Sequence, residues 1–291
     1  MNDEKVTIQK GQVTAISPEG VTACMKDDDF YKMLLEPKMD TCGLILPDGV
    51  KCVISRGQMT IFVFQIPPRL YNLKWIANDS KAPYGKDAKY RDVRIALPYV
   101  NLLAVYSQTR HRQMRLTHNN ECFFRNKPLS SLNDELMYPA LLNCSKFSSE
   151  EGKPLSWLCT QYLKVDSLSR IEDTNKYIRT SLSRLISCLW ETGFNLSSEK
   201  HEGNSWYSES VRRGVDPRIS TIEKWQEATK KDQLFVLDVP WIGTGRTVGQ
   251  IINRIFQNHG IREKMAFSIS DLSRIVFNNN KYETLMPIFF S

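Results

Sequence analysis

The apolar positions of this chain change their period along its length. In residues 1–55 they come in short clusters, at 6–8, 13–16, 43–46 and 51–54, divided by Pro18-Glu19-Gly20 and Pro47-Asp48-Gly49. Each tripeptide pairs a proline that presets φ with a glycine that accepts positive φ, so a β-rich N-terminal segment is expected here. Residues 60–66, TIFVFQI, are largely β-branched or aromatic and run into Pro67-Pro68, while residues 93–106 read as a second strand interrupted at Pro98. Between them the polar stretch 72–91, with Pro83 and Gly85, is expected to be a loop. Residues 114–125 can pair back on the preceding strand across the basic 109–115 turn, which gives an antiparallel meander at the centre of the chain.

Beyond Pro128 the periodicity fades. Residues 128–163 scatter Leu, Tyr and Trp between Pro128, Pro139, Gly152 and Pro154, a composition that suits an ordered, irregular wrap around a site. Helical spacing then returns. Tyr177, Ile178, Leu182, Leu185, Ile186, Leu189 and Trp190 recur at three- and four-residue intervals, with Asp173 or Thr174 as cap and Gly193 as stop, which predicts a helix over 174–191. Shorter helices are expected at 221–230, 248–256 and 269–277, and the apolar run 234–239, LFVLDV, reads as a buried strand. Strands first and helices afterwards make the expected fold class α+β, a central antiparallel meander followed by helices.

Length and composition narrow the class. A chain of 291 residues buries roughly 75% of its unfolded surface, enough for a core without staples. The N-terminal stretch lacks the apolar run of a signal peptide and no stretch approaches a membrane span, so no membrane partner is expected and the expected location is the cytoplasm. Seven cysteines without a Cys-x-x-Cys or a Cys/His cluster argue against a disulfide framework and a zinc knuckle, and no cofactor is implied. The formal net charge of +7 is concentrated: residues 69–127 hold 12 Lys/Arg against 4 Asp/Glu. Such a region, with Arg110, Arg112 and Arg115 at its turn, suits nucleic acid or an acidic protein subunit, or is simply a solvated strand edge.

Several groups could carry chemistry. Cys159 follows Trp157 and Leu158 after the irregular stretch, and Cys144 follows Asn143; either thiol could be a nucleophile or a small buried hydrophobe. Residues 195–206, NLSSEKHEGNSW, place His201 and Glu202 where they could steer a proton, or where serine, asparagine and glutamate caps simply hold a helix-to-loop connection. Residues 241–247, WIGTGRT, could present amides to a phosphate, although Pro240 and Arg246 stand where a P-loop has Gly and Lys, and a tight strand-to-helix turn is the favoured reading.

The order of these pieces resembles the divergent bacterial ubiquitin-conjugating-enzyme-like family, in its plasmid-borne branch associated with ThiF-like activating enzymes. Tyr138-Pro139-Ala140-Leu141-Leu142-Asn143 resembles the family's Pro-containing segment ending in Asn, Trp157-Leu158-Cys159 its nucleophile loop, and Trp190 with Phe194-Asn195 its helix-closing motif, over residues 93–196. Thr160 and Gln161 follow Cys159 where the family has Gly beside the nucleophile, and the family's terminal His falls at Leu196, with His201 the nearest histidine. The resemblance implies an N-terminal β-rich segment at 1–55, a ubiquitin-conjugating-like core at 56–210 and a C-terminal α/β extension at 211–291. It further implies a thioester-forming carrier whose partners are a ubiquitin-like modifier and a ThiF-like activating enzyme. Cys159 would be the nucleophile, Cys144 the alternative, Asn143 the oxyanion partner and His201 a proton handler. The rival expectation is a non-catalytic interaction module whose 69–127 region binds nucleic acid or an acidic subunit; a third is phosphate binding at residues 243–247.

Overall fold

The computed structural model describes residues 4–35, 45–109, 113–147, 152–160, 163, 168, 170–259 and 269–278, and the chain divides into two units, residues 1–42 with 262–291 and residues 43–261. The fold is α+β, with antiparallel sheets.

The smaller unit opens with β1 (Lys5–Gln9), β2 (Gln12–Ile16) and β3 (Thr22–Lys26), a meander in which each strand pairs with the next. Gly11, at φ 78°, makes the first turn. Helix α1 (Asp27–Leu35) begins on Asp27, Asp28 and Asp29, whose charge suits the positive end of a helix. Val13, Ala15, Ala23 and Phe30 form its core with Val276 from the C-terminal helix described below.

In the larger unit β4 (Val50–Arg56), β5 (Met59–Ile66), β6 (Arg69–Ile76), β7 (Tyr90–Leu97) and β8 (Tyr99–Gln108) follow in quick succession. They are joined by β9 (Met114–Leu116), β10 (Glu121–Arg125), β11 (Glu135–Met137), β12 (Cys144–Phe147) and β13 (Trp157–Leu158). Both β9 and β10 return onto β8, so the expected meander exists, while β4 pairs with β5. Residues 50–55 therefore belong to the larger unit, and a boundary at 55 would cut a hairpin. The stretch 72–91 is only partly a loop: Tyr71, Leu73 and Trp75 are buried in alternation with Asn72 and Lys74, and β6 pairs with β7 along eight positions. Polar residues on the outer face had concealed a period of two.

The remaining elements are α2 (Thr174–Glu191), α3 (Ser197–His201), β14 (Gly203–Ser205), α4 (Trp206–Arg212), α5 (Ile222–Lys231), β15 (Gly243–Thr247), α6 (Val248–Asn258) and α7 (Ile269–Asn278), the last belonging to the smaller unit. Asp173 caps α2 by accepting from the Lys176 N–H at 2.6 Å. The apolar run 234–239 is not a strand. Residues Phe235–Leu237 form one turn of 3-10 helix, with the Leu234 N–H held by Asp232 and the Trp241 indole donating to the Val236 carbonyl. A short apolar run carries no period that separates a strand from a buried turn. Of the cluster at 43–46, residues 43 and 44 lie outside the described residues, and Ile45 and Leu46 are exposed and form no strand.

The main sheet runs β14-β12-β13-β10-β8-β5-β4. Alternate residues of its central strands enter separate cores. Phe62, Leu102, Tyr106, Cys122 and Phe124 meet α2 and the β6–β7 hairpin, whereas Ile61, Val63, Leu103, Val105 and Phe123 meet α6. Covered on both faces, β5 is buried at every position, which explains a run of apolar residues without alternation. Gln65 and Asn101 lie directly opposite within it, joined by a 2.9 Å side-chain hydrogen bond, and Gln65 Oε1 also accepts the Leu129 N–H.

Candidate functional site

Strand β13 is short and is held largely by its neighbours. Glu121 Oε2 accepts the N–H groups of Leu155 (3.0 Å) and Ser156 (3.4 Å), and the Glu121 carboxylate also pairs with Arg254 of α6. The Leu158 N–H donates to Asn120 O, and the Trp157 indole donates to His118 O at 2.7 Å. One step beyond the paired Cys144 and Leu158, the Cys159 N–H donates to Asn143 O at 3.1 Å, which brings Cys159 and Asn143 together at the strand end.

Helix α2 closes this place from the other side. Asn143 Nδ2 donates to Leu189 O at 2.8 Å, and the Cys188 thiol donates to Cys159 O at 3.8 Å. After the helix Asn195 Nδ2 donates to the Tyr90 hydroxyl and to Gly193 O, and its Oδ1 accepts the Ser197 N–H. Gly193 is required by close approach, because an added Cβ would overlap the Tyr90 ring. Cys159, Asn143, Thr192, Gly193 and Asn195 thus line a shallow depression of about 10 Å3, room for about one water at most. Cys159 is half-buried there.

The other expected site residues fall elsewhere. Cys144 is fully buried, and burial, with the Cys122 thiol beside it, pushes its thiol well above the ordinary range, so its thiolate is disfavoured. His201 is exposed at the end of α3 with its ring edge-on to Tyr84 at 5.0 Å, and it does not line the depression. Beside it Glu202 is half-buried, and desolvation raises its carboxyl. Residues 243–247 are built into the sheet, with part of their backbone already engaged. They form β15 against β11, and their amides are used internally: Arg246 N–H to Thr244 Oγ1, Thr247 N–H to Gln250 Oε1, and, just beyond, Val248 N–H to Asp134 O. Thr247 and Gln250 form a reciprocal cap for α6.

Among the described residues, four of the twelve cations of the basic region are held in ion pairs. Lys74 pairs with Asp92 (2.7 Å), Lys89 with Asp79 (2.9 Å), Arg125 with Asp134 (2.6 Å) and Arg91 with Glu223. Arg115 lies over the Tyr177 ring at 4.6 Å and donates to Gln113 and the Met114 carbonyl. Arg110 and Arg112 lie outside the described residues.

A much larger concavity was not legible in the sequence. A groove of about 540 Å3 opens between residues 77–83, α4 and the start of α5, over a floor that includes Trp75, Leu142 and Leu196. Its aromatic residues come from segments over a hundred positions apart, and only the tertiary fold collects them. Among the described residues no three His, Cys, Asp or Glu side chains converge as a metal site requires, and no helix is long and apolar enough to cross a membrane.

No family model, curated protein or solved structure matches the chain. The likeness to ubiquitin-conjugating-like proteins accordingly rests on the residues quoted above.

Proposed function

We propose that this protein carries a ubiquitin-like modifier as a thioester on Cys159, on a ubiquitin-conjugating-like core supplied by a ThiF-like activating enzyme. The observation that carries the reading is that Cys159, with its half-buried thiol, and Asn143 line one depression and are joined by the backbone bond from Cys159 N–H to Asn143 O, while Cys122, Cys144 and Cys188 are buried. Loading is an exchange. The Cys159 thiolate attacks the donor's thioester carbonyl, a new C–S bond forms, and the donor sulfur leaves and takes up a proton. Discharge repeats the step with an amine, which loses its proton as Cys159 leaves as thiolate. Asn143 has one amide hydrogen committed to Leu189 O; the other is the donor we assign to the carbonyl oxygen as it gains charge. His201, turned to Tyr84, has no part in this scheme.

Iodoacetamide labelling of the folded chain, read by peptide mass spectrometry, should modify Cys159 roughly tenfold or more faster than the buried Cys144. With activating enzyme, modifier and ATP, a thiol-sensitive adduct should form that Cys159→Ser abolishes or converts into a thiol-resistant ester. Persistence of the sensitive adduct in Cys159→Ser, with its loss in Cys144→Ser, would transfer the role to Cys144.

The rival, a nucleic-acid platform at residues 69–127, is opposed by the ion pairs that occupy Lys74, Lys89, Arg91 and Arg125.

A further inference from the structure

We propose that Cys159 and Cys188 close into a reversible intramolecular disulfide when a hydroperoxide reaches the depression, which makes Cys159 an oxidation site with its partner already beside it.

The two residues are in direct contact. The Cys188 thiol donates to the carbonyl oxygen of Cys159 at 3.8 Å. Three further bonds keep them there: the Cys159 N–H to Asn143 O at 3.1 Å, Asn143 Nδ2 to Leu189 O at 2.8 Å, and the Thr192 hydroxyl to Cys188 O at 2.7 Å. The end of β13 and the last turn of α2 are thus joined at the place where the thiols lie. The carbonyl oxygen and the sulfur of Cys159 hang from one Cα, so the gap left between the two sulfurs closes by rotation about the Cα–Cβ bonds, to an S–S bond of about 2.0 Å.

Their exposures divide the labour. Cys159 is half-buried and lines the depression, whereas Cys188 is 5% exposed, so a hydroperoxide meets Cys159 first. With hydrogen peroxide the Cys159 thiolate attacks one oxygen, an S–O bond forms, the O–O bond breaks, and the hydroxide that leaves takes up a proton to become water. The product is a sulfenic acid, which condenses with a neighbouring thiol. The Cys188 thiolate attacks its sulfur, the S–S bond forms, the S–O bond breaks, and hydroxide leaves with the proton that Cys188 gave up. Two thiols and one peroxide become one disulfide and two waters, and dithiothreitol reverses the result.

The other thiols are placed less well to resolve the sulfenic acid. Cys144 is wholly buried with its thiol directed at Asn143 Oδ1 at 3.8 Å, and burial beside Cys122 keeps it protonated, which makes it a poor attacking group. Cys24 contacts the Thr14 hydroxyl in the smaller unit, and Cys52 lies on β4, packed towards α6. A disulfide at Cys159 would prevent the thiol from accepting a modifier. That consequence rests on the thioester reading, whereas the disulfide itself needs only the two cysteines.

The test treats the reduced full-length chain with hydrogen peroxide, blocks remaining thiols with N-ethylmaleimide in denaturant, and maps tryptic peptides without reductant by mass spectrometry. Trypsin places Cys144 in residues 126–146, Cys159 in 147–164 and Cys188 in 185–200, so each linked pair has its own mass. The peptide 147–164 should appear joined to 185–200, roughly tenfold or more above any other cysteine pair, and the link should vanish with dithiothreitol. In Cys188→Ser the link should be absent and Cys159 should run on to sulfinic and sulfonic acid, with thermal melting as the folding control. The wild-type map decides the matter if that variant melts early. Cys159 joined mainly to another cysteine, Cys159 oxidised while Cys188 still takes up N-ethylmaleimide, or Cys159 left as a free thiol would each overturn the proposal. No modifier or activating enzyme enters this measurement, so its failure and a failure of thioester loading are read separately.

Discussion

The contact between Glu121 and Arg254 fastens the run-in to Cys159, and breaking it from one side should be costly. Glu121 is 2% exposed and the Arg254 side chain 11% exposed. Besides Arg254, the carboxylate holds the N–H groups of Leu155 and Ser156, and Arg254 donates to Lys153 O at 2.9 Å, so α6, β10 and the segment before β13 share one knot. Arg254→Met removes the cation and keeps most of the apolar stem, leaving a carboxylate stranded in the interior. Such a stranded charge costs about 3–5 kcal/mol. Adding Glu121→Gln should recover about 1–2 kcal/mol or more, because the remaining buried group is neutral and still accepts from Leu155 and Ser156. Burial already raises the Glu121 carboxyl above its ordinary 4.5 against the pull of Arg254, and losing Arg254 raises it further. A folded-state value above the unfolded one means that the folded protein holds the proton more tightly. Its stabilising effect is complete below pH 4.5 and is lost as pH rises through the folded value. The deficit of Arg254→Met should therefore be smallest near pH 4.5 and grow towards neutrality. Urea unfolding of wild type, both single variants and the double variant at several pH values measures all of this. The reasoning is refuted if Arg254→Met costs less than about 1 kcal/mol at neutral pH, if its cost is flat with pH, or if the two substitutions simply add.

Three further outcomes are expected. Asp173→Ala removes the cap of α2 and should cost about 1 kcal/mol of stability by thermal melting, with Asp173→Asn nearly neutral. The cations around Glu209 hold its carboxyl at about 2 against an ordinary 4.5, so its stabilising effect is present above 4.5 and disappears as pH falls towards 2; Glu209→Gln should flatten that acid limb in urea unfolding. Binding to duplex DNA and to RNA near ~50 mM salt should be undetectable, because Lys74, Lys89, Arg91 and Arg125 of 69–127 are already paired; tight binding falling with a slope of about −0.9 per phosphate contact would restore the platform reading.

How much of this could be read from the chain depended on whether a segment's pattern was local. Helices α2, α5 and α6 carry their own period and caps, α7 its own period, and all four lie within a few residues of the expected spans. The strand at 60–66 was equally plain, because burial on both faces leaves apolar side chains at all positions but Thr60 and Gln65. Strands β6 and β7 were obscured by the lysines and arginines of their outer face, and β12, β13 and β14 are too brief to carry a period at all. The meeting of Asn143 with Cys159 depends on a single ladder contact between segments separated by irregular chain. His201 illustrates the converse. It is near in sequence to the residues that line the depression, yet the short α3 carries it away to Tyr84.

The strands β5 and β8 raise a question that polarity cannot answer. In most sheets a slip of one residue turns a greasy face to water and is punished at once; here both faces are apolar, so sliding one strand past the other would exchange one oily environment for another. Gln65 and Asn101 supply the missing discrimination, since their mutual bond forms only in the native alignment. Any displacement would strand two amides in hydrocarbon, at about 1–3 kcal/mol for each group left unsatisfied. Replacing both with leucine should therefore give a protein of similar or greater stability whose strands lose fidelity of alignment, a failure visible as broadened amide resonances or oligomers rather than as a lower melting temperature.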